Sequence, residues 1–309
     1  MQVHTARSRS QRGVALVMVL WVSVLITVLL ASFSLSARIE TLQGRNLLDT
    51  VRARYAAEAG LHRAAYELRG SDPLQRWVPD GRVYPMQFED AEIEIEIYDE
   101  TGKVDLNVSD LSTLVALFAT VAETERDAEA LAAAVMDWRD PDDLLNPNGA
   151  EANDYKSAGL AYVPRNAPFE TVSELQQVIG MSYEMYRELE PMITIYSGRA
   201  QPNPAYASPE VLRLFPGMTD AALQSFVQMR QMPPLAGGTP PPLAMPDGTP
   251  VLAQGGGLTY TIRSRAKLPG DASAELEATI RLGASAVARR PFRILRWRDG
   301  EGSAQSESK

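Results

Sequence analysis

The sequence predicts an α+β chain: one very long N-terminal helix packed on a small antiparallel sheet, interrupted by a large helical insertion. Three observations carry this. An apolar run from Val14 to Phe33 continues into a proline-free stretch reaching Arg69. Residues 88–98 alternate between apolar and acidic positions through most of their length, and three more strand-like runs come only near the C-terminus. Between these strand signals, residues 109–235 read mostly as short helices.

The N-terminal run fixes the relation to a membrane. About twenty mostly apolar residues, at 1.5 Å rise each, cross a bilayer core of roughly 30 Å. Arg7, Arg9 and Arg12 precede the run, so the N-terminus stays on the cytoplasmic side and the remainder is exported. A secretory signal peptide is cut after its apolar core. Here the polar-to-apolar junction, Gly13–Val14, lies before it. That order resembles a type IV prepilin leader, cut after glycine, which would leave Val14 first on the mature chain. The alternative is an uncleaved signal anchor. Past the membrane, Leu47, Val51, Tyr55, Ala59, Leu61, Ala65 and Leu68 recur at helical spacing. A single helix over 14–69 would be roughly 80 Å long, a half-buried stalk.

Gly70 to Pro73 ends this helix. In 88–98 the isoleucines face one side and the glutamates the other, as in a half-buried strand, and Asp99 to Gly102 reads as a turn. The later strand-like runs are 258–266, 275–282 and 291–297. Helices are expected over 111–118, 127–138, 171–180 and 182–189. The last two recur as an internal repeat at 208–219 and 220–230: Glu174, Leu175, Val178, Gly180, Met181 and Ser182 match Glu210, Val211, Leu214, Gly217, Met218 and Thr219 in kind. Each unit is helix, glycine turn, helix. Residues 233–257 are rich in Pro and Gly and read as a linker or mobile loop. The tail after Arg298 is polar and reads as disordered.

Composition excludes several chemistries. The 309 residues contain no cysteine, so disulfides, Cys-based zinc sites, Fe–S clusters and thiol catalysis are ruled out. His4 and His62 are the two histidines, too few for a His-rich metal site and poorly placed for a catalytic triad. There is no Gly-x-x-x-x-Gly-Lys-Ser/Thr phosphate loop. The net charge of −9 lies in one region: residues 110–235 hold eighteen acids and eight bases. The helix–glycine–helix repeat resembles the helix-hairpin-helix module, whose DNA-binding forms need a basic surface. Glu174, Glu184, Glu188, Glu190 and Asp220 surround these turns, so the repeat reads as a packing unit and no nucleic acid is expected.

One loop concentrates hard oxygen donors: Asp137, Asp140, Asp142, Asp143, Glu151 and Asp154, around Pro141, Pro147 and Gly149. Six to eight oxygen ligands suit Ca²⁺. The loop does not follow the EF-hand pattern, and a solvated acidic loop is the competing reading. A hydrolytic carboxylate pair is a third.

Taken in order, several short stretches resemble one family over nearly the whole chain, the minor pseudopilin K of type II secretion systems (GspK/XcpX). They are the Gly13, Val14, Ala15, Leu16 junction; Ala56 to Gly60; Asp99 to Asn107; Asp137, Trp138, Asp140 and Asp142; Gly149 to Glu151; Tyr155; Pro164 to Asn166; and Thr171 to Gly180. Gln201 to Ser208 departs from the family's usual Asn-x-Asn-Thr-Ala. The resemblance implies a pilin-like head with a helical domain inserted after its first strand. The expected division is 1–13 leader, 14–35 transmembrane, 36–69 periplasmic stalk, 70–108 and 240–298 head, 109–235 insert (SAM-like), and 299–309 tail. It implies a non-enzymatic subunit anchored once in a bacterial inner membrane, with its bulk in the periplasm. Its place is the pseudopilus tip, where it helps initiate assembly and control length during export of folded proteins. Its partners would be minor pseudopilins I and J, other pseudopilins, the prepilin peptidase and the inner-membrane assembly platform. Cleavage between Gly13 and Val14, with N-methylation of Val14, follows from the same resemblance, and calcium is known among pseudopilins. Most pilins carry Glu at the fifth mature position, an ionisable group costly inside a membrane and hence functional. Here that position is Met18, which fits a subunit with none ahead of it. The rival readings are a membrane-anchored helix-hairpin-helix DNA-uptake protein and an anchored periplasmic metal-dependent hydrolase.

Overall fold

The computed structural model describes residues 12–70, 76–232, 242–251, 256–270, 272–283 and 291–300. Helix α1 (Arg12–Glu67) spans 56 residues, about 84 Å. Every side chain from Val14 to Leu48 is exposed. Among the described residues this is the one helix long and apolar enough to cross a membrane. Only its last turns pack. Ala53, Ala56, Ala57, Leu61, Ala64, Ala65 and Leu68 are buried, following the spacing of one helical face. Of the larger residues expected in that stripe, Leu61 and Leu68 are buried, while Leu47 and Tyr55 turn outward, 67% and 65% exposed. The physical reason is close approach. Alanines and Gly60 let the helix sit directly on the sheet, where bulkier side chains would hold it off.

Strands β1 (Asp80–Phe88) and β2 (Ala91–Asp99) form a hairpin. The expected strand over 88–98 therefore begins later: Glu89, at φ +52°, and Asp90 make the turn. The strand before it was hidden by Pro85, which a sheet tolerates at an edge. After β2, a 3-10 turn (Glu100–Gly102) leads into the insert.

The insert contains β3 (Val104–Asp105), α2 (Leu111–Phe118), α3 (Glu125–Arg139) and α4 (Ala152–Ser157). A 3-10 turn (Val172–Gln177), α5 (Tyr183–Leu189) and β4 (Ile193–Thr194) follow, and β4 pairs in parallel with β3. Then come α6 (Pro209–Leu212) and α7 (Asp220–Gln231). The two repeat units have matching punctuation. Gly180 (φ +85°) and Gly217 (φ +75°) make left-handed turns that a side chain would strain. Ser182 and Thr219 then cap α5 and α7 by accepting backbone N–H bonds.

A short hairpin, β5 (Leu243–Ala244) and β6 (Pro250–Val251), occupies part of the stretch expected to be a linker. Leu243, Met245 and Val251 pack on the insert's core, so these residues go with the insert and not with a head segment starting at 240. Val104 and Leu106, expected in the head, also lie in that core.

The chain returns through β7 (Thr259–Lys267), β8 (Ser273–Leu282) and β9 (Phe292–Gly300). Strand β9 runs into the expected tail; residues 301–309, like the leader through residue 11, lie outside the described residues. The sheet order is β1-β2-β7-β8-β9, antiparallel throughout. One face, with Ile93, Ile95, Ile97, Ile262, Leu276 and Ile280, forms a core with α1. The other carries cross-strand charge pairs, Arg263 with Glu277 and Arg265 with Glu275. The insert has its own separate core, from Leu114 and Trp138 to Phe226.

Candidate functional site

The insert's position follows from which strand ends meet which part of α1. Asp90, just before β2, binds Arg52, and Asp299 near the end of β9 binds Arg54. These contacts mark the sheet end nearest the free part of α1. The opposite end carries the insert, where Asp80 at the start of β1 meets Arg230 of α7.

That junction is held by buried carboxylates. Glu100 is almost inaccessible; its Oε1 accepts from Lys103 Nζ and Thr261 Oγ1, each at 2.7 Å, and its Oε2 from Thr194 Oγ1. It thus ties β7 of the sheet to β4 of the insert. Asp99 accepts from Thr101 N and Gly257 N at 2.8 and 2.9 Å. Burial nevertheless pushes its pKa up, against these hydrogen bonds. Asp105 accepts from Ser197 Oγ at 3.0 Å and Gly198 N at 2.8 Å. Glu190, in a 3-10 turn after α5, reaches across to Arg296 and Arg298 of β9. Burial alone would raise the Glu190 pKa, but the two guanidiniums outweigh it and hold it low. Sequence reading took Asp99 to Gly102 for an ordinary turn. The missed signal was the density of short polar residues there: each supplies a hydrogen bond that lets a carboxylate be buried.

The acidic loop is more ordered than expected. Asp137 on α3 is fully buried; Oδ1 accepts from Asn146 N at 3.2 Å and from Asn146 Nδ2, and Oδ2 from Ala150 N at 2.7 Å. Gly149 permits this, since a Cβ there would lie 2.0 Å from Asp137 Oδ2. Glu151 precedes α4, a helix the sequence did not announce, and Asp154 caps it by accepting from Glu151 N at 2.9 Å. Asp142 accepts from Leu144 N, and Asp143 from Asn166 Nδ2.

The six acids therefore do not act as one ligand set. Among the described residues, no three Asp, Glu or His side chains form a group able to hold a metal. What remains is narrower: both Glu151 carboxylate oxygens, Asp140 Oδ1 and Asn166 Oδ1 are buried without a hydrogen-bond partner. Glu151 is the N-cap residue of α4, and its carboxylate faces the backbone N–H groups of that helix's first turn, which draw its pKa down against burial. Burial first, then Asp137, Asp140 and Asp143, push its pKa up. Asp140 is raised by burial and by Asp142 and Asp137.

At the other end of the chain, Val14 and Met18 stand 64% and 63% exposed on the unpacked part of α1. Gly13 lies in the same helix, one residue past its start.

Comparison with known proteins shows what this chain is similar to. The sequence model of the family described as Type II secretion system (T2SS), protein K matches residues 99–198, from the buried Asp99 to the Gly198 that closes on Asp105. The chain is 29% identical over 244 residues to Type II secretion system protein K of Klebsiella pneumoniae, covering 72% of this chain and 74% of that protein. It is 28% identical over 228 residues to the protein of the same name from Pseudomonas aeruginosa, covering 66% and 68%. A chain in the crystal structure of the GspK-GspI-GspJ complex from the enterotoxigenic Escherichia coli Type 2 Secretion System is similar at 16% identity and a TM-score of 0.48. The match covers 86% of this chain and 99% of that one. Residues 99–198 thus match the type II secretion system protein K model, and the chain is similar over about two thirds of its length to proteins of that name.

Proposed function

We propose that this chain is the subunit that ends a type II secretion pseudopilus, with a structural role and not a catalytic one. The observation that carries the reading is the seat of the helical insert, on the sheet end farthest from the free part of α1. Subunits that stack through parallel N-terminal helices add along that axis, so a bulky domain at the far end obstructs a subunit above. The Glu100 and Glu190 contacts hold that obstruction fixed against the sheet. Met18 supports the same reading, because a terminal subunit has no neighbour's amine to neutralise. The anchor would be one inner-membrane span with the rest periplasmic, matured between Gly13 and Val14 by a prepilin peptidase. Its partners would be minor pseudopilins I and J, the other pseudopilins and the assembly platform.

The test is filament length. Extra copies of the intact chain, expressed with the major pseudopilin, should give shorter and more numerous filaments by electron microscopy. Unchanged lengths would overturn the capping role. Met18→Glu should favour incorporation within the filament over the tip, read by immunogold position; gold confined to the ends would remove Met18 from the argument.

A second reading concerns a cation. Glu151 and Asp140, with Asn166, offer buried oxygens without donors, which suit Ca²⁺ as hard ligands. A bound ion would hold the loop after α3 against α4. Burial raises both folded pKa values, so the strain the ionised carboxylates add is present above those values and relieved as pH falls through them. Calcium should therefore raise the thermal midpoint of the intact protein at pH 7.5, and much less after Glu151→Gln. No calcium response at pH 7.5 would leave proton uptake as the explanation.

A further inference from the structure

Two loops of the insert lie side by side, 140–145 after α3 and 158–166 after α4. Asn166 Nδ2 joins them, donating to the Asp142 carbonyl at 3.0 Å and to Asp143 Oδ1 at 2.8 Å. Beside this staple four large apolar side chains stand in solvent: Leu144 at 75%, Leu145 at 58%, Tyr162 at 40% and Val163 at 41% exposure. Single exposed apolar residues are ordinary, whereas a group on adjoining loops marks an interaction surface. One member of the group, Tyr162, is held by the core beneath it. Tyr162 meets the fully buried Tyr155 ring edge-on at 6.0 Å, Tyr155 packs against Trp138, and Trp138 stacks on Phe169. A surface fixed in this way loses little freedom on binding.

The surroundings say what fits it. Asp142, Asp143 and Asp154 are exposed around the apolar group. Over 140–170 there are six acids and two bases, Lys156 and Arg165, and Arg165 is engaged by Glu170 and Glu174. The field of the insert is strongly negative, so it steers basic partners and repels a second copy of itself.

We propose that this face is a docking surface for a segment of another protein in which Lys or Arg residues flank exposed apolar side chains. The apolar residues would seat on Leu144, Leu145, Tyr162 and Val163, with the cations against Asp142 and Asp143. The proposal rests on the pseudopilus reading, in which the insert faces whatever lies beyond the filament's end.

Site-specific photocrosslinking tests it. p-Benzoylphenylalanine is placed at Leu145 in the full chain in secreting cells, with Tyr183 on α5, 59% exposed, as the control site. The expected result is an adduct from position 145 and not 183, mapping to a Lys- or Arg-bearing peptide, with yield falling as salt is raised. The double variant L144S/L145S should keep leader cleavage and co-purification with other pseudopilins, yet weaken this contact about tenfold and lower secretion accordingly. An adduct only to another pseudopilin or to a second copy, no adduct at all, or normal secretion by the double variant would overturn the proposal. Failure of the unmodified chain to be processed or to support secretion would instead count against the pseudopilus reading, so the two failures are distinguishable.

Discussion

The stalk and the sheet approach most closely at Gly60. A Cβ there would lie 2.2 Å from Ser264 Oγ, 3.0 Å from Ile93 Cγ2 and 3.2 Å from Ile95 Cγ1. Ser264 is fully buried and its hydroxyl has no hydrogen-bond partner. Replacing Gly60 with Ala gains about 1 kcal/mol of helix propensity. Forcing a methyl into a packed seam costs about 1–3 kcal/mol. Rotation of Ser264 relieves the shortest contact, but the two isoleucines are locked in the sheet core. The balance is a loss of about 1 kcal/mol for G60A. S264A removes both the obstructing oxygen and an unpaired buried hydroxyl, which costs about 1–3 kcal/mol, so it should be neutral or stabilising. In G60A/S264A the new methyl fills the space vacated, and the pair should couple favourably by about 1 kcal/mol or more. Thermal unfolding of the detergent-solubilised full chain reads this at about 2–4 °C per kcal/mol. Strict additivity, or a higher midpoint for G60A alone, would refute the close approach of α1 to β7.

Two further outcomes follow from the junction and the acidic loop. Glu190 has a lowered folded pKa, so its stabilisation is fully present above the unfolded value of about 4.3 and is lost as pH falls through the folded one. E190Q should therefore lower the thermal midpoint at pH 7 by the equivalent of about 1–2 kcal/mol, with the deficit shrinking on acidification; a pH-independent deficit would contradict the ion-pair account. G149A should displace Asp137 from the Ala150 N–H and cost about 1–3 kcal/mol, seen as faster hydrogen exchange confined to 146–151 and the end of α3. Exchange unchanged there would mean that the buried Asp137 does not organise the loop.

Much of this architecture was legible because it rests on local patterns. The isoleucine–glutamate alternation named β2, and the Gly180 and Gly217 turns with their Ser182 and Thr219 caps named the two repeat units. The rest depended on partners distant in sequence. Leu47 and Tyr55 form as good a periodic stripe as the alanines, and only contact with the sheet shows that the alanines, with Leu61 and Leu68, are the buried ones. Pro85 disguised β1 because its edge position is a property of the sheet and not of the strand. The loop acids suggested one cation cage, yet Asp137 is used by Asn146 and Ala150, and Asp154 by its own helix. The carboxylates that hold insert to sheet, Glu100 above all, were invisible because their hydroxyl partners Thr194 and Thr261 lie far along the chain.

The central claim is that the chain is a processed pseudopilin, and its most direct test is the intact mass of the protein from membranes, with and without co-expressed prepilin peptidase. The account predicts that the peptidase removes Met1 to Gly13 and that Val14 carries one added methyl group. A full-length, unmethylated N-terminus in both samples would contradict it and leave a signal-anchored protein.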